Sequence, residues 1–526
     1  MNWEQKWESL ARRWLPAAYL AIFLSGMASF AEAADVPALY KEHCVACHGE
    51  NRLGGIGPAL LPENLERLRK PEAAKVIRES RPATQMPAFG DKLQAEEIQA
   101  LTDWIYTKVV PAPVWGEAEI KASQVVDTAA LDLPNKPSKA LKGADPMNLF
   151  IVVETGDHHV SVLDGDKLER LHRFPSRYAL HGGPKYSPDG RFVYFASRDG
   201  WITKYDLWNL TVVAETRAGL NTRNAAVSGD GKWVMVANYL PHTLVVLDAK
   251  DLSLTKIIPV ANAKGDKTSR VSAVYDATPR KSFVAALKDV PEVWEISYDP
   301  KAEPVAEGLV HDFQYKEGDF KPGFLYPRRT LLKDYLDDFF FTQSYDEILG
   351  ASRTATKGQV IYLDGRKKIA DLDLPGMPHL GSGITFTHQG RTVMATPNLK
   401  EGLVSVIDIK ARQVIGTVKV GRRPYAVALL GNRAYVSDQY GATVSVIGIG
   451  ITWKALMDPT DGLINTVLGF TAEQIGRAFS VPAATMATRL VRAKKRIKAA
   501  RIGFRIPDRS DLPGRLDAVL EAVYAT

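Results

Sequence analysis

The stretch Ser187-Pro188-Asp189-Gly190-Arg191 decides the fold, because a closely similar turn, Ser228-Gly229-Asp230-Gly231-Lys232, begins 41 residues later. Each turn precedes an aromatic-rich strand, and a second strand then ends in an aspartate, Asp206 or Asp248. Self-similarity near this period is typical of a β-propeller, in which each repeat forms a blade of about four antiparallel strands. The sequence therefore predicts a propeller over residues 148–448.

Short runs rich in β-branched and aromatic residues recur throughout this region, with turn residues between them. The runs are Leu149–Glu154, Val160–Leu163, Phe192–Ala196, Trp233–Ala237, Leu244–Leu247, Phe339–Thr342, Val360–Leu363, Thr392–Ala395 and Leu403–Ile407. They predict about six blades plus fragments. A ring that lacks a blade would leave unpaired strand edges, which lowers stability.

The pentapeptide Cys44-Val45-Ala46-Cys47-His48 contains the only two cysteines of the 526 residues. This spacing is typical of a covalent c-type haem, in which Cys44 and Cys47 add to the vinyl groups and His48 binds the iron. One alternative is a redox dithiol, which needs no adjoining histidine. Another is half of a zinc site, which needs about four ligands, although the chain has no second cysteine pair. The motif favours haem c and electron transfer.

Residues 35–110 add a glycine-rich loop, a methionine and a helix to this motif. The loop Gly54–Leu60 lacks bulk and can lie against a flat macrocycle. Residues 94–107 carry an apolar face at helical spacing. This region resembles a class I cytochrome c, which is all-α, and the resemblance implies that Met86 is the sixth iron ligand. The alternative for Met86 is an ordinary core methionine.

Residues 1–33 have the three-part form of a secretory signal peptide. Arg12 and Arg13 precede the apolar run Leu15–Phe23, and Ala31-Glu32-Ala33 offers a cleavage site. The apolar run is shorter than a typical transmembrane span, and an uncleaved membrane anchor is the alternative. Because c-type haem is attached outside the cytoplasmic membrane, the sequence predicts the periplasm.

A second resemblance concerns the propeller. Tyr178–Gly183, Ser187–Tyr194 and Arg198-Asp199-Gly200 resemble the haem d1 domain of cytochrome cd1 proteins, and a cytochrome c followed by such a propeller is that family's domain order. The family propeller is eight-bladed. The likeness weakens after about residue 410, and Gly421–Val427 resembles a generic surface-layer-type repeat, so the ring can be incomplete here. The fold class is thus mainly β with an α domain.

The cytochrome cd1 resemblance implies a set of haem d1 contacts. His181 matches the histidine that binds the d1 iron, and a structural histidine is the alternative. Arg198 and Arg223 match arginines that face the carboxylates of the macrocycle, a task that suits the guanidinium fork. Tyr178 and Tyr239 are weaker candidates for lining the pocket, and ordinary strand packing is an equally good interpretation.

The distal side separates two activities within this family. Members that reduce nitrite have two histidines that donate protons to it. His379 matches the second, but the segment Lys333–Thr342, where the first would lie, contains no histidine. With Arg328-Arg329-Thr330, this segment instead resembles the dihydro-haem d1 dehydrogenases, which introduce the acrylate double bond of haem d1. The resemblance implies that a haem d1 precursor is the substrate. A haem d1 carrier and a nitrite reductase are the alternatives.

The same resemblance implies a redox mechanism. His379 is a candidate base or distal ligand, because the pKa of a histidine permits both protonation states near neutrality. Haem c accepts one electron at a time, so an external electron acceptor is required. A cytochrome cd1 nitrite reductase is a candidate recipient of the product.

The two ends of the propeller carry segments of different character. Residues 111–147, rich in proline, alanine and lysine, predict an extended linker along the surface.

The net charge of +7 is uneven, since eight basic residues and no acidic one lie between Arg489 and Arg505. Residues 468–510 resemble the helix-turn-helix of region 4 of extracytoplasmic-function sigma factors. Because the chain lacks a polymerase-binding region and carries an export signal, we expect the tail 449–526 to be a fusion without a nucleic-acid partner; a DNA-binding regulator is the alternative.

Overall fold

The computed structural model describes residues 35–81, 84–307, 319–351, 357–375, 377–388, 390–430, 433–438 and 443–448. The predicted signal peptide and the sigma-factor-like tail lie outside these residues. Within the described part of the chain, no helix is both long and apolar enough to cross a bilayer.

Short helices around one apolar cluster form the N-terminal domain. They are α1 (Val36–His43), α2 (Val45–His48), α3 (Pro62–Leu65), α4 (Lys70–Glu79) and α5 (Ala95–Ile105). Helix α5 begins where Gln94 and Glu97 form a capping box, and it contributes Ile98 and Leu101 to the core beside Tyr40. The prediction of an all-α cytochrome c domain is confirmed.

Seven antiparallel sheets in the described residues form the blades of the propeller. The strands of the first four blades are, for blade 1, β2 (Leu149–Glu154), β3 (His159–Asp164) and β4 (Arg170–Pro175); for blade 2, β5 (Lys185–Tyr186), β6 (Phe192–Ala196), β7 (Trp201–Asp206) and β8 (Thr211–Arg217); for blade 3, β9 (Asn221–Val227), β10 (Trp233–Leu240), β11 (Thr243–Asp248) and β12 (Leu254–Pro259); and for blade 4, β13 (Val271–Ala277), β14 (Ser282–Leu287), β15 (Glu292–Ser297) and β18 (Pro327–Leu331).

The remaining strands continue the same meander. They are, for blade 5, β19 (Asp338–Phe341), β20 (Glu347–Ala351), β21 (Gly358–Tyr362) and β22 (Lys367–Leu372); for blade 6, β23 (Ile384–His388), β24 (Arg391–Asn398), β25 (Leu403–Asp408) and β26 (Gln413–Lys419); and for blade 7, β27 (Pro424–Leu430), β28 (Arg433–Asp438) and β29 (Thr443–Gly448). A separate hairpin, β16 (Val305–Glu307) and β17 (Asp319–Lys321), projects from blade 4.

Each blade packs its apolar face against the next blade along the chain. Ile202 of blade 2 and Val245 of blade 3 share one buried cluster, and Met235 of blade 3 and Trp294 of blade 4 share the next. Further clusters join the later blades in the same way. Because alternate side chains of a strand point to opposite faces, each sheet can pack against two neighbours. The blades therefore stack in sequence order.

The described residues form seven blades, two of them with only three strands, which agrees with the predicted six blades plus fragments and is one fewer than the eight of the cytochrome cd1 family. Several strands have weak sequence signals. In blade 5, strand β22 alternates exposed and partly buried residues. It pairs with β21, which is mostly buried. Hydrogen bonding to a neighbouring strand completes such segments, so local sequence understates the number of strands.

Residues 111–147 do not form the extended linker that we predicted. Helix α6 (Glu117–Ser123) buries Ile120 against blades 2 and 3, and β1 (Val125–Val126) pairs with β8 as a fifth strand of blade 2. Helix α7 (Thr128–Leu131) and a 3₁₀ turn, Lys139–Leu141, follow. Apolar side chains spaced among the prolines cover the outer edge of the blade, and burying them outweighs the cost of ordering the segment.

The N-terminal domain lies directly on blades 2 and 3. Ala59 and Leu61 pack against Leu220, and Asn64 Nδ2 donates a hydrogen bond to the Leu220 carbonyl oxygen at 3.0 Å. At the edge of this contact, Glu66 forms an ion pair with Arg270 of the propeller at 2.8 Å. The haem-binding motif is therefore held against the propeller by an apolar contact with a polar rim.

Candidate functional site

The haem c motif forms a compact cradle at the junction of α1 and α2. Cys44 caps α1 and Cys47 lies in α2, and both are free, partly buried thiols. His48 is 7% exposed, and its Nδ1 donates to the Pro58 carbonyl oxygen at 2.8 Å. This hydrogen bond leaves Nε2 for iron. Burial lowers the pKa of His48, which favours the neutral imidazole that a metal requires.

The glycine loop fits a covalent haem c as well. A Cβ at Gly57 would lie 2.9 Å from His48 Cε1, so a larger residue would displace the imidazole. Met86 packs in the same apolar cluster as Cys44. Its backbone is held on both sides, because Ser80 Oγ donates to the Met86 carbonyl oxygen at 2.8 Å and Thr84 Oγ1 accepts from the Met86 N–H at 3.3 Å. Ligation of iron by Met86 stays a prediction.

His181 is held in the propeller as His48 is held in the small domain. It lies between β4 and β5, and its Nδ1 donates to the Arg223 carbonyl oxygen at 2.9 Å. Its Nε2 accepts from Arg198 Nη2 and from Arg223 Nη1, each at 3.0 Å. Burial, and then the charges of the two arginines, lower the pKa of His181 well below its usual value. The imidazole is thus neutral, with one lone pair aimed at a cationic pocket.

Arg198 and Arg223 do not stand alone in this pocket. Arg223 is buried in β9, and Arg198 lies in the turn between β6 and β7. Arg67 of the small domain acts electrostatically on both His181 and Arg198. Burial, followed by repulsion from Arg223 and Arg67, lowers the pKa of Arg198 to about 10. One buried, one partly buried and one exposed arginine are thus close enough to interact, and such a cluster favours a polyanionic ligand such as a carboxylate-bearing macrocycle. Sequence reasoning missed Arg67.

The two candidate tyrosines border this cluster. Tyr239 is 8% exposed and acts electrostatically on Arg198 and Arg223. Tyr178 lies edge-on to the ring of His158, with 5.1 Å between ring centroids, and burial raises its pKa. His158 is partly buried by this contact.

His379 lies on another wall of the pocket, just before a 3₁₀ turn, Leu380–Ser382. It is 4% exposed, and its ring centroid lies 4.6 Å from that of Tyr425. Tyr425 in turn acts electrostatically on both Arg198 and Arg223. Tyr425 thus connects the candidate base, through ring packing, with the candidate substrate-binding arginines, through electrostatic interaction.

A carboxylate and a tyrosine complete this second wall, and sequence reasoning assigned a role to neither. Tyr275 Oη donates to Asp338 Oδ1 at 2.8 Å, and the Gly381 N–H donates to Asp338 Oδ2 at 3.2 Å. Asp338 lies in the segment Lys333–Thr342, which has no histidine where nitrite-reducing family members have one. The pair acts electrostatically on Arg223, so it lies near the arginine cluster.

No local pattern could have identified these residues, because each comes from a different blade. Arg223, Tyr275, Asp338 and Tyr425 lie in β9, β13, β19 and β27, the first strands of blades 3, 4, 5 and 7. First strands of neighbouring blades contact one another around the ring. The sequence signal for these residues is a polar side chain that recurs in the first strand of successive blades, which becomes visible only when the repeats are aligned.

Comparison with known proteins agrees with this geometry. Residues 144–428 match the family model described as the cytochrome D1 heme domain, and residues 31–105 match cytochrome C oxidase, cbb3-type, subunit III. The dihydro-heme d1 dehydrogenase of Pseudomonas aeruginosa is 54% identical over 386 residues, which are 73% of this chain and 73% of that protein. The nitrite reductase of Stutzerimonas stutzeri is 24% identical over 399 residues, 71% of this chain and 67% of that protein.

A solved structure extends the likeness to three dimensions. Dihydro-heme d1 dehydrogenase NirN in complex with DHE superposes with a TM-score of 0.71 at 48% identity, covering 81% of this chain and 86% of that chain. The identity to dehydrogenases is about twice the identity to the nitrite reductase, over similar shares of this chain. This chain therefore belongs to the cytochrome d1 family, as a homologue of the dihydro-haem d1 dehydrogenases.

Proposed function

We propose that this chain is a periplasmic dehydrogenase that oxidises dihydro-haem d1 to haem d1 and delivers the electrons to its own haem c. The observation that carries the proposal is the neutral His181, which is fixed through Nδ1 and ringed by arginines, in a chain that also holds a complete haem c cradle. The 54% identity to a dihydro-heme d1 dehydrogenase supports the same reaction.

Binding requires the arginines to change partners. Arg198 and Arg223 both donate to His181 Nε2, the atom that would bind the substrate iron. Once iron occupies this lone pair, the two guanidinium groups are free to pair with the carboxylates of the macrocycle. Arg67, Tyr239 and Tyr178 border the same space. Before the substrate binds, the arginines supply hydrogen bonds to His181 Nε2. After it binds, they orient the propionate side chain that is to be oxidised.

The reaction converts a propionate side chain to an acrylate, so two electrons and two protons leave the substrate. We assign the first proton to His379, whose ring is oriented by packing on Tyr425. The Tyr275–Asp338 pair lies on the same wall and offers a second acceptor, because Asp338 accepts hydrogen bonds from Tyr275 Oη and from the Gly381 N–H. His379 is 4% exposed, so the proposed base is shielded from bulk water.

Haem c, when bound at Cys44 and Cys47, supplies a one-electron acceptor. Two electrons therefore require an external acceptor between transfers, and we propose a soluble periplasmic oxidant in that role. A cytochrome cd1 nitrite reductase is the proposed recipient of haem d1. The small domain contacts blades 2 and 3, which carry Arg198 and Arg223, the two arginines that contact His181, so the two redox groups would lie on adjoining parts of the protein.

A single-turnover experiment tests the proposal. Oxidised haem c protein is mixed anaerobically with dihydro-haem d1, and the absorption spectrum is followed. The proposal expects loss of the precursor spectrum, appearance of haem d1 and reduction of haem c. Binding without conversion in the presence of an added oxidant would overturn it in favour of a carrier, and turnover of nitrite to nitric oxide would overturn it in favour of a reductase.

A further inference from the structure

One buried carboxylate lies between the haem c cradle and the propeller. Asp199 follows Arg198 in the turn between β6 and β7 and is 3% exposed. Its Oδ1 accepts from the Ala59 N–H of the small domain at 3.3 Å. Its Oδ2 is buried and has no hydrogen-bond partner among the residues that the structure describes. A carboxylate so placed is costly to bury, which calls for an explanation.

The acceptor atom connects Asp199 to the candidate iron ligand of haem c. The Ala59 N–H belongs to the same peptide group as the Pro58 carbonyl oxygen, which accepts from His48 Nδ1 at 2.8 Å. A charge on Asp199 therefore polarises this peptide, makes the carbonyl a stronger acceptor and gives the His48 imidazole more anionic character. Partners of this kind raise the basicity of a metal-bound histidine.

The glycine loop brings the carboxylate this close. A Cβ at Gly54 would lie 2.5 Å from Asp199 Oδ2, and the φ angle of Gly54 is +85°. Only glycine permits both this backbone conformation and this approach. The loop residues 53–59 carry no charged or titratable side chain, so this loop offers Asp199 only backbone groups.

The propeller groups around Asp199 determine how readily this carboxyl takes up a proton near neutral pH. Arg217 donates Nε to the Asp199 backbone carbonyl at 2.7 Å, and its charge favours the carboxylate. Tyr178 interacts electrostatically with Asp199, whereas the Arg198 guanidinium donates its hydrogen bond to His181. Burial outweighs the attraction of Arg217 and the hydrogen bond from Ala59, and it raises the pKa of Asp199 to about 7.

We propose that Asp199 is a redox-linked proton site of haem c, which takes up a proton when haem c is reduced and releases it on reoxidation. One electron enters haem c, from the substrate in the proposed reaction or from the electrode in the test below. One O–H bond of a hydronium ion breaks and the O–H bond of Asp199 forms. Reduction removes one positive charge behind His48, so the carboxylate becomes more basic. Asp199 thereby acts as a positioning residue through the Pro58–Ala59 peptide.

This arrangement suits a dehydrogenation, which releases protons together with electrons. The turn that carries Asp199 also carries Arg198, so one turn joins the substrate pocket to the haem c cradle. The inference rests on the proposed function only in requiring haem c at Cys44 and Cys47. Its test needs no dihydro-haem d1, so its failure is distinguishable from failure of the dehydrogenase proposal.

The test is the midpoint potential of haem c against pH, measured electrochemically on the protein with haem c attached. We expect the potential of the unaltered protein to fall as pH rises through neutrality. Asp199→Asn keeps the shape and the acceptor oxygen but removes the charge, so it should lose this slope and have the higher potential above neutral pH. Glu66→Gln is the matched control, because this carboxyl lies at the same domain contact but is largely exposed. It should retain the slope.

A second measurement keeps the inference falsifiable if Asp199→Asn does not mature. Redox-difference infrared spectra of the unaltered protein should show a protonated carboxyl appearing on reduction near neutral pH. Identical pH profiles for the unaltered protein and Asp199→Asn would overturn the inference. So would the absence of a carboxyl signal in the difference spectrum of the unaltered protein.

Discussion

The two walls of the propeller pocket are held in different ways. On the first wall, His181 is tied to the backbone by its Nδ1, and Arg198 and Arg223 converge on its Nε2. On the second, His379 packs on Tyr425, and in the same wall the Tyr275 hydroxyl donates to Asp338. A backbone acceptor at Nδ1 fixes the His181 imidazole in one tautomer and leaves Nε2 as its acceptor atom. The first wall therefore suits iron binding, and we place proton transfer at the second wall, where a histidine, a tyrosine and a carboxylate lie together.

The two candidate iron ligands show the same lesson on a smaller scale. His48 and His181 each donate Nδ1 to a backbone carbonyl oxygen, at 2.8 and 2.9 Å. The surroundings differ, because His48 lies in an apolar cradle beside two cysteines and His181 lies among arginines. The first suits a permanently attached group, and the second suits a polyanionic molecule that enters and leaves.

The largest expected effect sharpens the contrast between the walls. His379→Gln should lower single-turnover dehydrogenation by about 10²- to 10⁴-fold, as removal of a general base does, while the affinity for dihydro-haem d1 changes little. Stopped-flow absorption measures the rate, and a spectrophotometric titration measures the affinity. A loss of affinity equal to the loss of rate would instead place His379 in the binding wall.

His181→Ala should produce the converse result. Removing the iron ligand should weaken binding of dihydro-haem d1 by at least about 100-fold, because loss of a group that only orients a metal ligand already costs about 10- to 100-fold, and it should alter the iron spectrum. His242→Gln is the matched control, because this partly buried propeller histidine does not contact His181 or its two arginines and lies with Nδ1 2.8 Å from Thr268 Oγ1. Binding of the pigment by His181→Ala with unchanged affinity and spectrum would refute the assignment of the first wall.

Arg223→Gln should have a smaller effect on binding. A charge-assisted hydrogen bond is worth about 1.5–3 kcal/mol, so affinity should fall by roughly ten- to a hundred-fold. Arg223→Lys should recover only part of it, because an ammonium lacks the bidentate fork. Affinities come from the same titration, and full recovery by lysine would show that charge alone matters at this position.

The smallest expected effect is that of pH on binding. A histidine ligates iron only when neutral, and the pKa of His181 lies well below its usual value of 6.5. Protonation therefore competes with iron only at pH values well under 6.5, and binding should stay constant from pH 8 to about 6. Loss of affinity centred on pH 6.5 would mean that His181 is not in the cationic pocket. Titrations at several pH values decide between these outcomes.

The haem c motif shows how far local sequence reaches. Cys44, Cys47 and His48 are within five residues, so covalent geometry alone brings them together, and the motif predicted the cradle that the structure shows. His181, Arg198 and Arg223 were found by family resemblance and do converge. The extended linker was a wrong prediction, because burial of Trp115 and Ile120 against blades 2 and 3 cannot be read from proline content.

By itself the sequence determined the haem c motif and the propeller period, since both depend on residues near one another in the chain. Only the tertiary structure decided that Tyr275, Asp338 and Tyr425 share a wall with His379, and that Asp199 meets the small domain at Ala59. The physical reason is the ring. It aligns the first strands of successive blades, so residues far apart in sequence meet in space because of inter-blade packing, which no local pattern encodes.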